Sequence, residues 1–355
     1  MDTRRDREPR PTEPIGARIR DTGELAAALP TLLGFRPEES VVLLSLTGGS
    51  GRRVGMTVRA DIPPPEHARA LAAVLARSLS TDRPAGAVVV VVSEEPDDGP
   101  PGSLDLPHRG LVWEMVKALA EQAVPVPEVL FVRGDRWWDY DCPYACCGPD
   151  GGTPLPTGVT ELEVASVVAG TVVERDRDAL AARIAPPPAR DRRAMAAACA
   201  RVAVECSAAV LDRGMEAVAA ESWTAIADAA ARCRPGAAPT ALTDAELGRV
   251  VWGLRDGEVR DLAMGLALGD EPAAAEQLWT ECTRRAPAPL DAAPATLLAV
   301  CAWLRGDGAM ANIALGRALD SEPGYGLARL LGDALAACMT PSDLRALLTE
   351  AARPG

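Results

Sequence analysis

Two hydrophobic rhythms divide this chain. Up to about residue 185, short apolar runs alternate with helical patterns; beyond it, helical spacing alone continues. Thr22 is expected to cap a helix over Gly23–Leu33, and Gly34-Phe35-Arg36-Pro37 to turn the chain into a buried strand, Val41–Leu46. Thr47–Gly51 reads as a hairpin loop. It returns into Arg53–Asp61, where Val54, Met56 and Val58 alternate at period two. Pro63-Pro64-Pro65 stops that strand. A helix follows over Glu66–Leu79, with Ala70, Leu71, Val74, Leu75 and Leu79 at helical spacing. Ala87–Val92, an alanine and five valines, predicts a strand buried on both faces. An acidic loop over Glu94–Leu106 leads to a helix, Pro107–Ala123, and a strand, Glu128–Val132. Arg136–Asp141 is expected to be a short strand paired with it.

This order predicts an α/β domain over 15–185: a mixed sheet with an antiparallel hairpin at one side, covered in part by helices over Glu161–Val173 and Arg177–Ile184. Residues 1–14, charged and proline-rich, are expected to form a disordered tail. Ala185-Pro186-Pro187-Pro188 marks the boundary. An all-α domain over 190–355 then reads as helices at Asp191–Asp212, Met215–Cys233, Asp244–Leu254, Glu258–Leu268, Ala273–Arg285, Pro294–Leu304, Ala309–Asp320 and Gly324–Cys338, with a last one capped by Ser342. From Ala295 to Pro323, small residues (Ala299, Ala311, Ala318) fall where two helices would touch, and Leu298, Ala302 and Leu315 fill the larger sites. Gly306-Asp307-Gly308 turns the chain, and Trp279 and Trp303 could support successive hairpins. The segment resembles one tetratricopeptide (TPR) unit of about 34 residues, so a TPR-like set of helical hairpins is expected.

Composition narrows the function classes. The 355 residues carry 50 acidic against 37 basic side chains, a formal charge of −13, which argues against a broad nucleic-acid surface. Lys117 is the only lysine, so a Schiff-base or phosphate-binding lysine could be no other residue; its place in an amphipathic helix suits neither role. No apolar run approaches the roughly 18 residues of a membrane span, and the first fourteen residues lack the apolar core of an export signal. The expectation is a soluble, cytoplasmic protein without a membrane partner. Its thiols would then be reduced, with Cys199, Cys206, Cys233, Cys282, Cys301 and Cys338 acting as small buried apolar residues.

Chemistry concentrates in one stretch, Asp135–Pro154, directly after the Glu128–Val132 strand. Its rings and guanidiniums, with Arg133 before it, make Arg133, Arg136, Trp137, Trp138 and Tyr140 a candidate ligand site, because α/β sheets place ligands at strand ends. On a strand Trp137 and Trp138 face opposite ways, so one is expected to be buried and the other partly exposed. Cys142, Cys146 and Cys147 suggest zinc, but thiolate sites usually need four ligands. The nearby oxygen donors are Asp139, Asp141 and Asp150, and His67 and His108 are the only histidines. A disulfide from Cys142 to Cys146 or Cys147, a redox switch, and a cysteine nucleophile activated by Arg133 or Arg136 are further readings. The plainest is a loop pinned by its own buried rings and thiols. Gly48–Gly51 lacks the lysine of a phosphate loop, and no dinucleotide, zinc-protease or serine-hydrolase motif is present. The pairs Glu38-Glu39, Glu94-Glu95 and Asp97-Asp98 are expected to be solvated.

Leu32–Val41, LLGFRPEESV, resembles the opening of an actinobacterial family of uncharacterised proteins, DUF4192. The aromatic stretch running into cysteines and Gly-Thr-Pro at Trp137–Pro154, and Trp303–Gly308 in the helical tail, are similar to that family too. The resemblance implies a bacterial cytosolic protein and brings no function with it. Three readings remain open: a binding or scaffold protein whose helical domain recruits a protein partner, a small-molecule-binding or enzymatic α/β domain with its site near Arg133–Cys147, and a cysteine-based metal or redox sensor.

Overall fold

The computed structural model describes residues 19–48, 53–95, 105–144, 151–168, 172–234 and 241–351. Six strands form one mixed sheet: β1 (Ser40–Thr47), β2 (Arg53–Asp61), β3 (Gly86–Val92), β4 (Glu128–Arg133), β5 (Arg136–Asp139) and β6 (Thr153–Pro154), in the spatial order β2-β1-β3-β4-β5-β6. Only β3 and β4 run parallel; the other neighbours are antiparallel. The β1–β2 hairpin therefore lies at one edge, as the sequence pattern predicts, and β4–β5 pair as expected. The two-residue strand β6 carries no periodic signal and was not foreseen.

Helices α2 (Ala68–Ser80) and α3 (Arg109–Glu121) carry the two crossovers, β2 to β3 and β3 to β4, and pack together on one face of the sheet. Their apolar sides cover Val41, Leu43, Val89, Val91, Val129 and Phe131. The alternate residues Val42, Leu44, Val88, Val90, Leu130 and Val132 point the other way, against α1 (Thr22–Leu33). Both faces of β3 are thus closed, which is why its five valines need no polar alternation. Asp21, not Thr22, caps α1: its carboxylate accepts from the Glu24 N–H, and its extended backbone suits the cap position.

The opposite core does not stop at the sheet. The cluster holding Val42 and Val90 runs on through Leu180 and Ile184, across the proline run, into the helical region. There the helices are α6 (Ala189–Arg213), α7 (Met215–Arg232), α8 (Asp244–Gly253), α9 (Gly257–Gly265), α10 (Pro272–Arg285), α11 (Ala292–Leu304), α12 (Gly308–Ser321), α13 (Gly326–Ala336) and α14 (Pro341–Ala351), with α4 (Glu161–Val168) and α5 (Arg177–Ala182) before them. Thr340 rather than Ser342 caps α14, its hydroxyl accepting from the Asp343 N–H at 3.1 Å. The helix expected over Glu258–Leu268 ends early, at Gly265, and closes in a tighter turn over Leu266–Leu268.

At the centre is α11. It is apolar all round and buried over nearly its whole length, with α9, α10, α12, α13 and α14 packed about it. The expected hairpin of α11 and α12 forms, turning at Gly306 in the left-handed region. Helices gathered round a central one are what the structure shows. A buried ion pair fixes this hairpin. Asp291, with no solvent exposure, meets Arg317 at 2.7 Å and accepts a hydrogen bond from Ser321. Removing the carboxylate takes the acceptor from Ser321 and the partner from the half-buried Arg317, so Asp291→Ala is expected to lower the unfolding free energy by about 1–3 kcal/mol. A loss below about 1 kcal/mol in urea titration would contradict this assignment.

Four of the six helical cysteines, Cys199, Cys206, Cys282 and Cys301, are buried small apolar residues as expected; Cys233 and Cys338, at helix ends, are half-buried instead. Burial pushes the thiols of Cys199, Cys206, Cys233, Cys282 and Cys301 above the ordinary value of 9.0. A raised value in the folded state means stability that is full below the ordinary thiol pKa and lost as pH climbs past it, where only the unfolded chain ionises. The denaturation midpoint is therefore expected to fall between pH 8 and pH 10.5, and a flat profile over that range would show that these thiols ionise as readily folded as unfolded.

Candidate functional site

The aromatic stretch is divided between the two faces of the sheet. On β5, Trp138 is buried beside Phe131, ring centroids 5.3 Å apart, whereas Trp137 is half-buried on the opposite face over Gly23 of α1. The alternation expected of a strand is thus realised. Gly152 meets the flat side of Trp138 so closely that a Cβ would come within 2.5 Å of the indole, and its φ of +86° also favours glycine. Tyr140 is buried too. Its hydroxyl donates to the Pro107 carbonyl, and Arg109 lies 5.0 Å from its ring while donating to its backbone carbonyl.

The two arginines of the predicted site are also engaged. Arg136 straps the chain beyond the cysteines, donating to the carbonyls of Gly151 and Gly152. Arg133 reaches across from β4 to the carbonyls of Ser93 and Glu95, at the end of β3. Arg133, Arg136, Trp137, Trp138 and Tyr140 are therefore close in the chain but do not converge: two rings enter one core, one leans on α1, and the guanidiniums hold separate loops. Cys142 is half-buried at the end of the stretch, while Cys146 and Cys147 lie outside the described residues. Among the described residues, no three histidine, cysteine, aspartate or glutamate side chains are grouped to hold a metal ion.

A constellation that the sequence reading missed sits at the carboxyl ends of β3 and β4. The Glu39 carboxylate accepts from the Ser93 hydroxyl at 2.7 Å and from the Glu94 N–H at 2.6 Å. Glu94 in turn accepts from the Gly134 N–H at 2.6 Å, in the β4–β5 turn. Next to it, Arg59 of β2 donates to the Ser40 hydroxyl and pairs with Asp61 at 2.7 Å. Glu38, Glu94 and Glu95 are exposed as expected, but Glu39 is half-buried, and both Glu39 and Glu94 also hold backbone N–H groups. Exposed strand-end N–H groups attract a carboxylate, and these two satisfy them. The same segment explains the opening motif. Gly34 ends α1 in the left-handed region at φ +79°, Phe35 enters the core, and Gly34 and Arg36 hydrogen-bond Glu174 through the backbone.

Glu39 itself has a φ of +36°, unusual for a side chain with a Cβ. Glu39→Ala keeps that strain and loses the carboxylate's bonds, so a loss of about 2 kcal/mol is expected. Glu39→Gly releases the backbone and should cost less than alanine. Chemical denaturation of the pair tests this, and an alanine variant as stable as wild type would refute the anchoring role.

In the helical region, the described surface offers two features. A cleft of about 280 Å³ between α7 and α8 is floored by Ala229 and Leu242, and its charges Arg232 and Glu246 pair across it. The Glu246 carboxyl is held below its ordinary range, first by the Thr243 N–H of its capping box and then by Arg232. The second feature is the outward side of α6. Met195, Ala198, Cys199, Val202 and Cys206 form its inner face against α7 and α8. On the reverse side Ala197, Ala200, Val204, Ala208 and Leu211 are all exposed, Val204 to 72% and Leu211 to 89%. Their spacing of three and four residues was the available signal: α6 is apolar on two opposite faces, and one core can take only one.

No curated protein and no solved structure matches the chain. A family model does, over residues 23–342, a span that takes in the Gly34–Ser40 turn, the aromatic strand and the α11–α12 hairpin. On that match the chain belongs to the family described as a domain of unknown function, DUF4192.

Proposed function

We propose that this protein is a binding or scaffold module that engages a protein partner through the outward face of α6 in its helical region. One observation carries the reading: Val204 and Leu211, with Met215 just past the helix end at 61% exposure, lie on the surface in helical register with Ala197, Ala200 and Ala208. A helix that presents i, i+4, i+7 apolar positions to water has the form of one side of a helix–helix interface. Its length and composition alone would also suit a membrane span. Arg201 and Glu205 in mid-helix, each costly in hydrocarbon, favour a protein partner instead.

A second reading, a small-molecule site, is supported by the charged groups over the ends of the parallel strands β3 and β4, where α/β sheets commonly hold ligands. It is the weaker one, because Glu39, Ser93, Glu94 and Arg133 already satisfy one another or the backbone around them. Zinc would need Cys146 and Cys147 to join Cys142. Photo-crosslinking amino acids at positions 204 and 211, with the exposed Arg345 position of α14 as control, test the first reading in cells. Adducts at 204 and 211 alone are expected; adducts that are absent there, or equal at 345, would remove it.

A further inference from the structure

We infer that the partner of α6 is α6 of a second copy of this chain, laid antiparallel across a two-fold axis at Val204. The inference rests on the reading of α6 as an interaction face and deepens it by naming the occupant. Its basis is the symmetry of that face. In an antiparallel pair centred on Val204, Ala197 stands opposite Leu211 of the second copy, Ala200 opposite Ala208, and Val204 opposite itself. Each position of the exposed stripe meets another, and each large side chain off the axis meets a small one, which lets two helices approach closely. A two-fold interface requires this kind of self-match, whereas an unrelated partner gives no reason for it.

Charge follows the same axis. Before the axis the exposed charges of α6 are Arg190, Arg192, Arg193 and Arg201 against Asp191 alone, a net basic half; after it they are Glu205 and Asp212 against Arg213, which pairs with Glu221, a net acidic half. Antiparallel pairing sets the basic half of one helix beside the acidic half of the other. Arg201 and Glu205 share one flank. Across the axis they differ in height by two residues, about 3 Å, so two cross-helix ion pairs flank the axis, one on either side of Val204. Glu205 is 62% exposed, held only by Arg249 at 3.5 Å, and remains available. A parallel pairing would instead set like charges side by side.

The test is the mass of the full chain in solution, by sedimentation velocity over a concentration series. Wild type is expected to move from one chain towards two as concentration rises. Val204→Asp, at an exposed position that the fold does not need, should weaken the association at least tenfold with an unchanged circular dichroism spectrum. Val204→Cys, on the axis, should form a disulfide-linked dimer under mild oxidation beyond the wild-type background, and Arg345→Cys should not. A wild-type chain that stays monomeric, or a dimer indifferent to Val204→Asp, would overturn the self-pairing. The crosslinks at 204 and 211 separate the two failures: other proteins captured there by a monomeric chain leave the binding-module reading standing, and no adduct of any kind removes both.

Discussion

Strand β3 sets the terms for the rest of the molecule. Five consecutive valines, all but the last fully enclosed, require apolar cover on both faces of the sheet. Two crossover helices supply one cover. The other begins with α1 and is completed by the helices beyond the proline run, because Val42, Val90 and Leu130 belong to the same buried cluster as Trp279 and Leu298. The helical region thus continues the buried cluster that begins on the sheet, and α11, buried over nearly its whole length, lies at the centre of its own bundle. A bond from the Thr81 hydroxyl to the Cys338 carbonyl ties the end of α2 to the far end of the helical region.

The same demand for cover decides the fate of the aromatic–cysteine stretch. A strand at the far side of the sheet must bury one face in each core, and β5 does so with Trp138 and Trp137. Gly152, Arg136 and the Pro107 carbonyl then hold the described part of the loop against those rings. Groups that look in the sequence like a binding site are largely engaged in keeping the loop in place. The surface left over is elsewhere, on the one long helix whose second apolar face meets nothing among the described residues.

Much of the fold was legible because it is local. Alternation in Val54–Val58, the valine run of β3 and the helical spacing of Leu71–Leu79 each determine their element within a few residues. What escaped depends on distant partners. Glu39 reads as one of many surface acids until β1 and β3 are placed side by side, bringing its carboxylate under the Ser93 hydroxyl and the Glu94 N–H. β6 is only two residues long and exists because β5 has a free edge. The exposed face of α6 was present in the spacing of Ala197 to Leu211, yet nothing in the sequence says which of two apolar faces a core will take. The cysteines divide the same way: Cys199, Cys206, Cys282 and Cys301 are buried as their alanine-rich helices predict, whereas Cys233 and Cys338, at helix ends, are only half-buried.

The claim on which this account turns is that sheet and helical region share one core and so unfold together. Urea unfolding followed at once by tryptophan fluorescence, which reports Trp137 and Trp138 in the sheet and Trp279 and Trp303 among the helices, and by helical circular dichroism, tests it most directly. Coincident transitions with a single midpoint are the predicted result. Two separated transitions, with the helical signal lost while part of the fluorescence change remains to come, would contradict it.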